Sequence, residues 1–446
     1  MVDITANTGG IQSPNPFWLA SAPPSNTGDQ VQRAFDAGWG GAVWKTLGTP
    51  IVNVSSRYGA IHHGDRRIIG LNNIELITDR SLEINFKEIY ETKKKFPKHA
   101  VIASLMVETK QEWEDIIKRS IDAGADGLEL NFGCPHGMCE RGMGSAVGQE
   151  PAVNQEITSW AKEYSSIPVL VKLTPNVGDI VPHGLASQAG GADGVSLINT
   201  IKSIISVDID RMVPNPRVGD RSTNGGYCGP AVRPIALHMV AALARSPEFQ
   251  LPISGIGGVG TWRDAVEFFL LGASTVQVCT AVMHHGYRIV EDMIEGLETY
   301  MEDKGLATMA DLVGGAVPAY TSWGDLDLNY KVVAKIDDAS CIGCQKCYIA
   351  CYDGSHQCIH LREGAERLDP VTAAKLKVRE DMGVDWESRI PFVDEQACVG
   401  CNLCQMVCPV PDCITMVEVE PEAGKPLLTY KDFVKQEAER KAAREG

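Results

Sequence analysis

The sequence predicts an α/β chain in which a (β/α)8 TIM barrel precedes a small cysteine-built domain. Three observations carry this reading. From Pro16 to about Gly305, short apolar runs alternate with longer segments of helical period, the pattern of repeated strand-helix units around a parallel sheet. Eight such runs are present, and polar residues or a glycine pair stand where each one ends, as expected of a barrel whose site is built at the carboxyl ends of its strands. Most of the 14 cysteines then crowd between Cys341 and Cys408.

The predicted strands are Phe17 to Ala20, Ala42 to Trp44, Val101 to Leu105, Leu128 to Leu130, Val169 to Val171, Val195 to Ile198, Pro252 to Ser254 and Val276 to Cys279. Helical periods follow most of them, as in Gln111 to Ala123, Ala231 to Ala244, Trp262 to Leu271 and Tyr287 to Tyr300. The phrase AGADG or GGADG, ending at Gly127 and Gly194 and echoed by Gly272-Ala273, reads as one helix-to-strand turn used repeatedly. The strand ends present Ser21, Lys45, Ser104, Asn131, Lys172, Asn199, Gly257 with Gly258, and Thr280. That distribution favours the barrel over a doubly wound sheet, its structural rival. Two connections, Thr46 to about Leu82 and Thr200 to Pro230, exceed a plain barrel loop and are expected to carry function. The expected domains are a barrel at 1–304, a linker at 305–330, a cysteine-rich domain at 331–420 and a C-terminal tail at 421–446.

Composition narrows the function. Against 41 Lys and Arg stand 57 Asp and Glu, a formal charge of -16 that repels phosphate backbones and anionic lipid, so neither nucleic acid nor membrane is an expected partner. The first residues lack a basic n-region and a long apolar run, and no stretch reads as a transmembrane helix, so a soluble cytoplasmic protein is expected.

The cysteines have a definite spacing. Cys341, Cys344, Cys347 and Cys351 form one run and Cys398, Cys401, Cys404 and Cys408, followed by Pro409, form another, the bacterial ferredoxin spacing for two 4Fe-4S clusters. Three thiolates two residues apart face one cube, and the fourth reaches the other. Cys341, Cys344, Cys347 and Cys408 are therefore expected to hold one cluster, and Cys398, Cys401, Cys404 and Cys351 the second. Structural zinc is the weaker alternative, because it uses two ligand pairs and leaves a third cysteine idle. The runs depart from compact ferredoxins in having Tyr352 where a proline usually stands and in the long segment between Cys351 and Cys398. Cys358 and Cys413 are left over and are expected to be buried small apolar residues.

Gly255 to Gly260 satisfies G-x-G-x-x-G, but the next strand offers Cys279 and Thr280 where a dinucleotide fold needs an acid for the ribose. In a barrel the same glycines, with the loop after the eighth strand, form a phosphate site that suits flavin mononucleotide (FMN). Lys45 and Lys172 are then placed to stabilise the anionic reduced flavin. Clusters pass single electrons and a flavin gathers them into a hydride, so the two halves of the chain are expected to form one electron path.

Beyond the fourth strand runs Asn131-Phe132-Gly133-Cys134-Pro135-His136-Gly137-Met138-Cys139, a loop in which Cys134 can act as a proton donor and His136 can tune it. His62, His63, His284 and His285 read as surface or packing residues. This loop, with LASAPP at Leu19 to Pro24, WKT at Trp44 to Thr46, NIEL at Asn73 to Leu76, KLTPN at Lys172 to Asn176, INT at Ile198 to Thr200 and RPIAL at Arg233 to Leu237, resembles dihydropyrimidine dehydrogenases. The ferredoxin runs match as well, and the likeness is greatest to the FMN and iron-sulfur subunit of the two-subunit bacterial NAD-dependent type.

That resemblance implies reduction of uracil or thymine at the 5,6 double bond, with hydride from FMN to C6 and a proton from Cys134 to C5. It places Asn73, Asn131, Asn199 and Thr200 on the pyrimidine, and Ala20, Ser21, Lys45, Thr46, Lys172, Gly229, Gly257, Gly258, Cys279 and Thr280 on FMN. NAD(P)H and FAD would act through a partner subunit, in a dimer of heterodimers. Gly133, where the eukaryotic sequences have serine, and the additional Cys139 bear on the choice of substrate, which extends to cyclic amides such as hydantoin. The competing readings are a dihydroorotate dehydrogenase-like FMN enzyme and an electron-transfer subunit with no chemistry of its own.

Overall fold

The computed structural model describes residues 2–49, 51, 54–63, 66–135, 142–361, 390–419 and 428–445. His136 and Cys139 lie outside the described residues. The chain divides into two compact units, Met1–Tyr320 and Thr321–Gly446.

All eight predicted strands form. They are β1 (Phe17–Leu19), β2 (Gly41–Leu47), β3 (Ala100–Leu105), β4 (Gly127–Asn131), β5 (Val169–Lys172), β6 (Gly194–Leu197), β7 (Ile253–Ile256) and β8 (Ala273–Val278). Each pairs in parallel with its neighbours, and the order β6-β7-β8-β1-β2-β3-β4-β5 closes on itself. A helix follows every strand: α1 (Gly28–Ala37), α2 (Leu82–Lys95), α3 (Lys110–Asp122), α4 (Pro151–Tyr164), α5 (Val181–Ala189), α6 (Arg233–Arg245), α7 (Trp262–Leu270) and α8 (Ile289–Lys304).

Local chemistry sets these elements. In α3 the buried residues Trp113, Ile116, Ile117 and Ser120 recur at helical spacing, and Thr109 with Glu112 closes a capping box at its start. Thr261 and Asp264 do the same for α7. The repeated turn has a double cause. Gly124, Gly191 and Gly272 take φ of +82°, +88° and +107°, which favours glycine, and the aspartates beyond the first two tie the new strand to its neighbour. Asp126 accepts from Val101 N at 2.8 Å and Asp193 from Val169 N at 2.7 Å, while Lys93 and Lys162 pair with the same carboxylates.

The two long connections are not loops. Tyr58–His63, Arg66–Asn73, Gly225–Cys228 and Ile201–Ser203 make one four-stranded antiparallel sheet, and two of these strands come from each connection. Part of the stretch expected to be a linker is packed: Met309 and Leu312 join the barrel core, and Gly314 N and Ala316 N donate to the carbonyls of Phe269 and Leu270.

In the second unit Lys331–Ile336 pairs antiparallel with Ile414–Val419, and Ile359–Leu361 with Pro391–Val393. The tail contains a helix at Tyr430–Glu445. Among the described residues no helix is long and apolar enough to cross a membrane.

Phe268 on α7 is fully buried, with its ring edge 2.4 Å from where a Cβ on Gly255 of β7 would lie. Phe268→Ala is expected to lower barrel stability by about 3–5 kcal/mol, read from the denaturant midpoint of the fluorescence of Trp18, Trp39, Trp44 and Trp113, all buried in the barrel. An unchanged midpoint would contradict this packing.

Candidate active site

A cavity of about 410 Å³ opens at the carboxyl ends of the barrel strands. Ala20 and Ser21 reach it from beyond β1, Lys45 and Thr46 from β2, Asn131 and Cys134 from the end of β4, and Lys172 from β5. Asn199 and Thr200 follow β6, Gly257 and Gly258 follow β7, Cys279 and Thr280 follow β8, and the antiparallel sheet and its exit contribute Asn73 and Gly229. All of the residues expected to touch flavin or pyrimidine therefore line one space.

Two buried ion pairs dominate its electrostatics. Lys172 Nζ lies 3.6 Å from Glu129 Oε1, and Glu129, on the adjacent strand, is fully buried. Its other oxygen accepts from Ser196 Oγ and Gln277 Nε2, each at 2.8 Å. Lys45 Nζ lies 3.4 Å from Glu75 Oε2, and Glu75 also pairs with Arg57 at 3.1 Å and accepts from Tyr58 Oη at 2.7 Å. Burial, reinforced by that hydrogen bond, pushes the Tyr58 phenol well above its usual range and keeps it protonated. A charge in such surroundings is tolerable only when it has a partner, and each of these is ion-paired, although Glu129 Oε1 has no hydrogen-bond partner of its own among the described residues.

A relay of neutral groups runs beside the ions. Asn199 Nδ2 donates to Asn131 Oδ1 at 2.9 Å, and Asn131 Nδ2 donates to Thr46 Oγ1 at 3.0 Å. Thr46 Oγ1 is 3.0 Å from Ser104 Oγ and 3.1 Å from Ser21 Oγ, so the ends of β1 to β4 are cross-linked by hydroxyls. Each amide orientation is thus fixed, and an amide nitrogen with two hydrogens keeps one for a bound ring. Asn73 is set by a bond from Nδ2 to Gly226 O at 3.1 Å. Cys134 is buried, packs with Ile77, Met106 and Met143, and accepts at its carbonyl from Ser145 N at 3.0 Å.

At the far side, Gly257 and Gly258 adopt φ of +135° and +75°, and a Cβ on Gly258 would lie 2.9 Å from both Arg233 Cβ and Gly229 O. A side chain here would fill the cradle. Arg233 lines the cavity and pairs with Asp264, which also accepts from Gly260 N and Thr261 N. Cys279 and Cys228 are neighbours, Thr280 Oγ1 donating to Cys228 Sγ at 3.4 Å, and burial pushes the Cys279 thiol up to about 12. The cradle, the paired lysines and the cavity fit an FMN.

Sequence reasoning did not assign Glu129, Glu75, Tyr58, Gln277, Tyr227, Cys228, Arg233 or Asp264 to the site. Glu129 had a readable signal, a lone acid within the apolar strand Gly127–Asn131. Tyr58 had none, because its strand finds partners only in the folded sheet.

In the second unit the cysteines separate into two small cavities. Cys341, Cys344, Cys347 and Cys408 line one, with Cys413, while Cys351, Cys398, Cys401 and Cys404 line the other, with Cys358. This is the interleaving that the spacing predicts. Left-handed residues recur at equivalent places, Gly343 and Gln345 in the first run and Gly400 and Asn402 in the second, and curl each run around its cavity. As free thiols Cys347 and Cys404 are pushed by burial to about 12 and about 11, which bound iron would reverse. Among the described residues every cysteine is free of disulfide, and the donor set fits iron-sulfur cubes.

Comparison with known proteins agrees with this architecture. Residues 4–301 match the dihydroorotate dehydrogenase family and residues 334–416 a 4Fe-4S dicluster domain. The NAD-dependent dihydropyrimidine dehydrogenase subunit PreA of Escherichia coli is 41% identical over 425 residues, 95% of this chain and 97% of that protein. This chain belongs to the dihydropyrimidine dehydrogenase family. It is an oxidoreductase, with a dihydroorotate dehydrogenase-type barrel joined to a dicluster domain. The chloroplastic dihydropyrimidine dehydrogenase (NADP(+)) of Arabidopsis thaliana is 41% identical over 337 residues, 73% of this chain and 79% of its own. The catalytic subunit of dihydroorotate dehydrogenase B (NAD(+)) of Pyrococcus horikoshii is 36% identical over 316 residues, which is 69% of this chain but 96% of that subunit, leaving almost none of it to match the cluster domain.

Lys172→Met leaves the Glu129 carboxylate buried without its cation and is expected to cost about 3–5 kcal/mol in urea unfolding of flavin-free protein. Adding Glu129→Gln should recover much of the loss. Equal stability of the single and double variants would contradict the ion pair's role.

Proposed function

We propose that this chain reduces the 5,6 double bond of a neutral pyrimidine, uracil or thymine, to the 5,6-dihydropyrimidine. The observation that carries this reading is the placing of a buried thiol, Cys134, and an oriented asparagine relay on one flavin-sized cavity of a dihydropyrimidine dehydrogenase-type chain. FMN bound there would supply the hydride for C6, and its electrons would come singly through the two 4Fe-4S clusters.

The residues divide the work. Gly257, Gly258, Gly229 and Thr280 would hold the FMN phosphate side, and Lys45 and Lys172, with Ala20, Ser21, Thr46 and Cys279, the ring side. Asn73, Asn131, Asn199 and Thr200 bind the imide edge, where alternating N-H and C=O groups need partners that both donate and accept. Cys134 holds a proton at Sγ and delivers it to C5. The antiparallel sheet, which brings Tyr58, Leu71 and Tyr227 to the cavity, excludes water from it.

Charge argues against a carboxylated substrate such as orotate. Lys45, Lys172 and Arg233, the lysines and arginine that line the cavity, are paired with Glu75, Glu129 and Asp264 respectively. Each of these cations therefore already has an acidic partner, which lowers the attraction for a substrate carboxylate without abolishing it. The relative PreA is named as a subunit of an NAD-dependent enzyme, which supports a partner subunit with the NAD(P)H site; FAD on that partner and a cytoplasmic dimer of heterodimers complete the proposal.

Cys134→Ala is expected to lower turnover of uracil and thymine by ~10²–10⁴-fold and to leave the flavin and cluster absorption unchanged. Unimpaired turnover would reject the proton-donor role, and a preference for dihydroorotate over both pyrimidines would reject the substrate class.

A further inference from the structure

The second cysteine cavity contains a thiol that ligation does not explain. Cys358 is buried and lines the same space as Cys351, Cys398, Cys401 and Cys404, yet it belongs to neither ferredoxin run. Its Sγ lies 3.4 Å from Cys351 Sγ, and its backbone N-H donates to that same sulfur at 3.4 Å. The backbone is bent to permit this approach. Gln357, just before it, has φ of +58°, a left-handed conformation that is unfavourable for an ordinary side chain.

The other half repeats the device and then departs from it. Asp412, just before Cys413, has φ of +57°, and Cys413 lines the first cavity as Cys358 lines the second. Cys413 Sγ donates to the backbone carbonyl of Asp337 at 3.8 Å and also neighbours the expected ligands Cys341 and Cys408, whereas Cys358 sets both its Sγ and its backbone N-H on a single ligand sulfur.

Ligation decides which of the two sulfurs donates. A cysteine bound to iron is a thiolate and carries no hydrogen, so Cys358 alone can be the donor. We propose that Cys358 is a non-ligating thiol whose S-H donates to the Cys351 ligand and raises the reduction potential of the cluster held by Cys351, Cys398, Cys401 and Cys404. The proposal rests on Cys351 ligating that cluster. Reduction adds negative charge to the cube, and donors aimed at its sulfurs stabilise that charge. No bond to iron forms or breaks, and the proton stays on Cys358.

The test is an anaerobic redox titration of the full-length protein, followed by electron paramagnetic resonance, with iron and acid-labile sulfide measured on the same samples. In Cys358→Ala the metal content should equal that of the wild type, and one cluster midpoint should move downward while the other stays. Cys358→Ser keeps a donor and should return the shifted midpoint toward the wild-type value. Unchanged midpoints in Cys358→Ala, or loss of a cluster from it, would overturn the proposal. Wild-type protein without two 4Fe-4S clusters would instead overturn the ligand reading beneath it.

Discussion

Two ammonium groups stand at the mouth of the barrel, and a carboxylate pairs with each of them. Lys172 with Glu129 ties β5 to β4, and Lys45 with Glu75 ties β2 to the segment leaving the antiparallel sheet. Without these carboxylates the ammonium groups would be left without their acidic partners in a largely buried setting, which is strongly destabilising. With them, the cavity is neutral overall and positive locally. That balance suits a ring system that becomes anionic on reduction.

The second unit depends on a different constraint. Among the described residues, its buried core cluster holds Val333, Ala334, Ile359, Ile414 and six cysteines, Cys347, Cys351, Cys358, Cys398, Cys404 and Cys413. With so many thiols in that cluster, iron-sulfur cubes bonded to the thiolates would add covalent cross-links to the packing of its aliphatic side chains. Metal insertion is therefore expected to stabilise this unit, in contrast with the barrel, which has a large aliphatic and aromatic core cluster of its own.

The barrel was legible because each repeat announces itself locally. The ADG turns, the apolar runs and the polar strand ends are short-range patterns, and the cysteine interleaving follows from spacing alone. What the sequence hid is long-range. Tyr58–His63 becomes a strand by pairing with Arg66–Asn73, which in turn pairs with Gly225–Cys228, more than 150 residues later in the chain. Glu129 and Cys358 have the same cause: an acid in a strand and a leftover cysteine acquire meaning only from Lys172 and Cys351, which the fold brings to them.

The most direct measurement is the metal, sulfide and flavin content of the full-length chain purified without oxygen. The expected result is FMN, with none of the flavin present as FAD, together with iron and acid-labile sulfide for two 4Fe-4S clusters. A colourless protein that contains zinc in place of iron and no flavin would contradict the entire assignment.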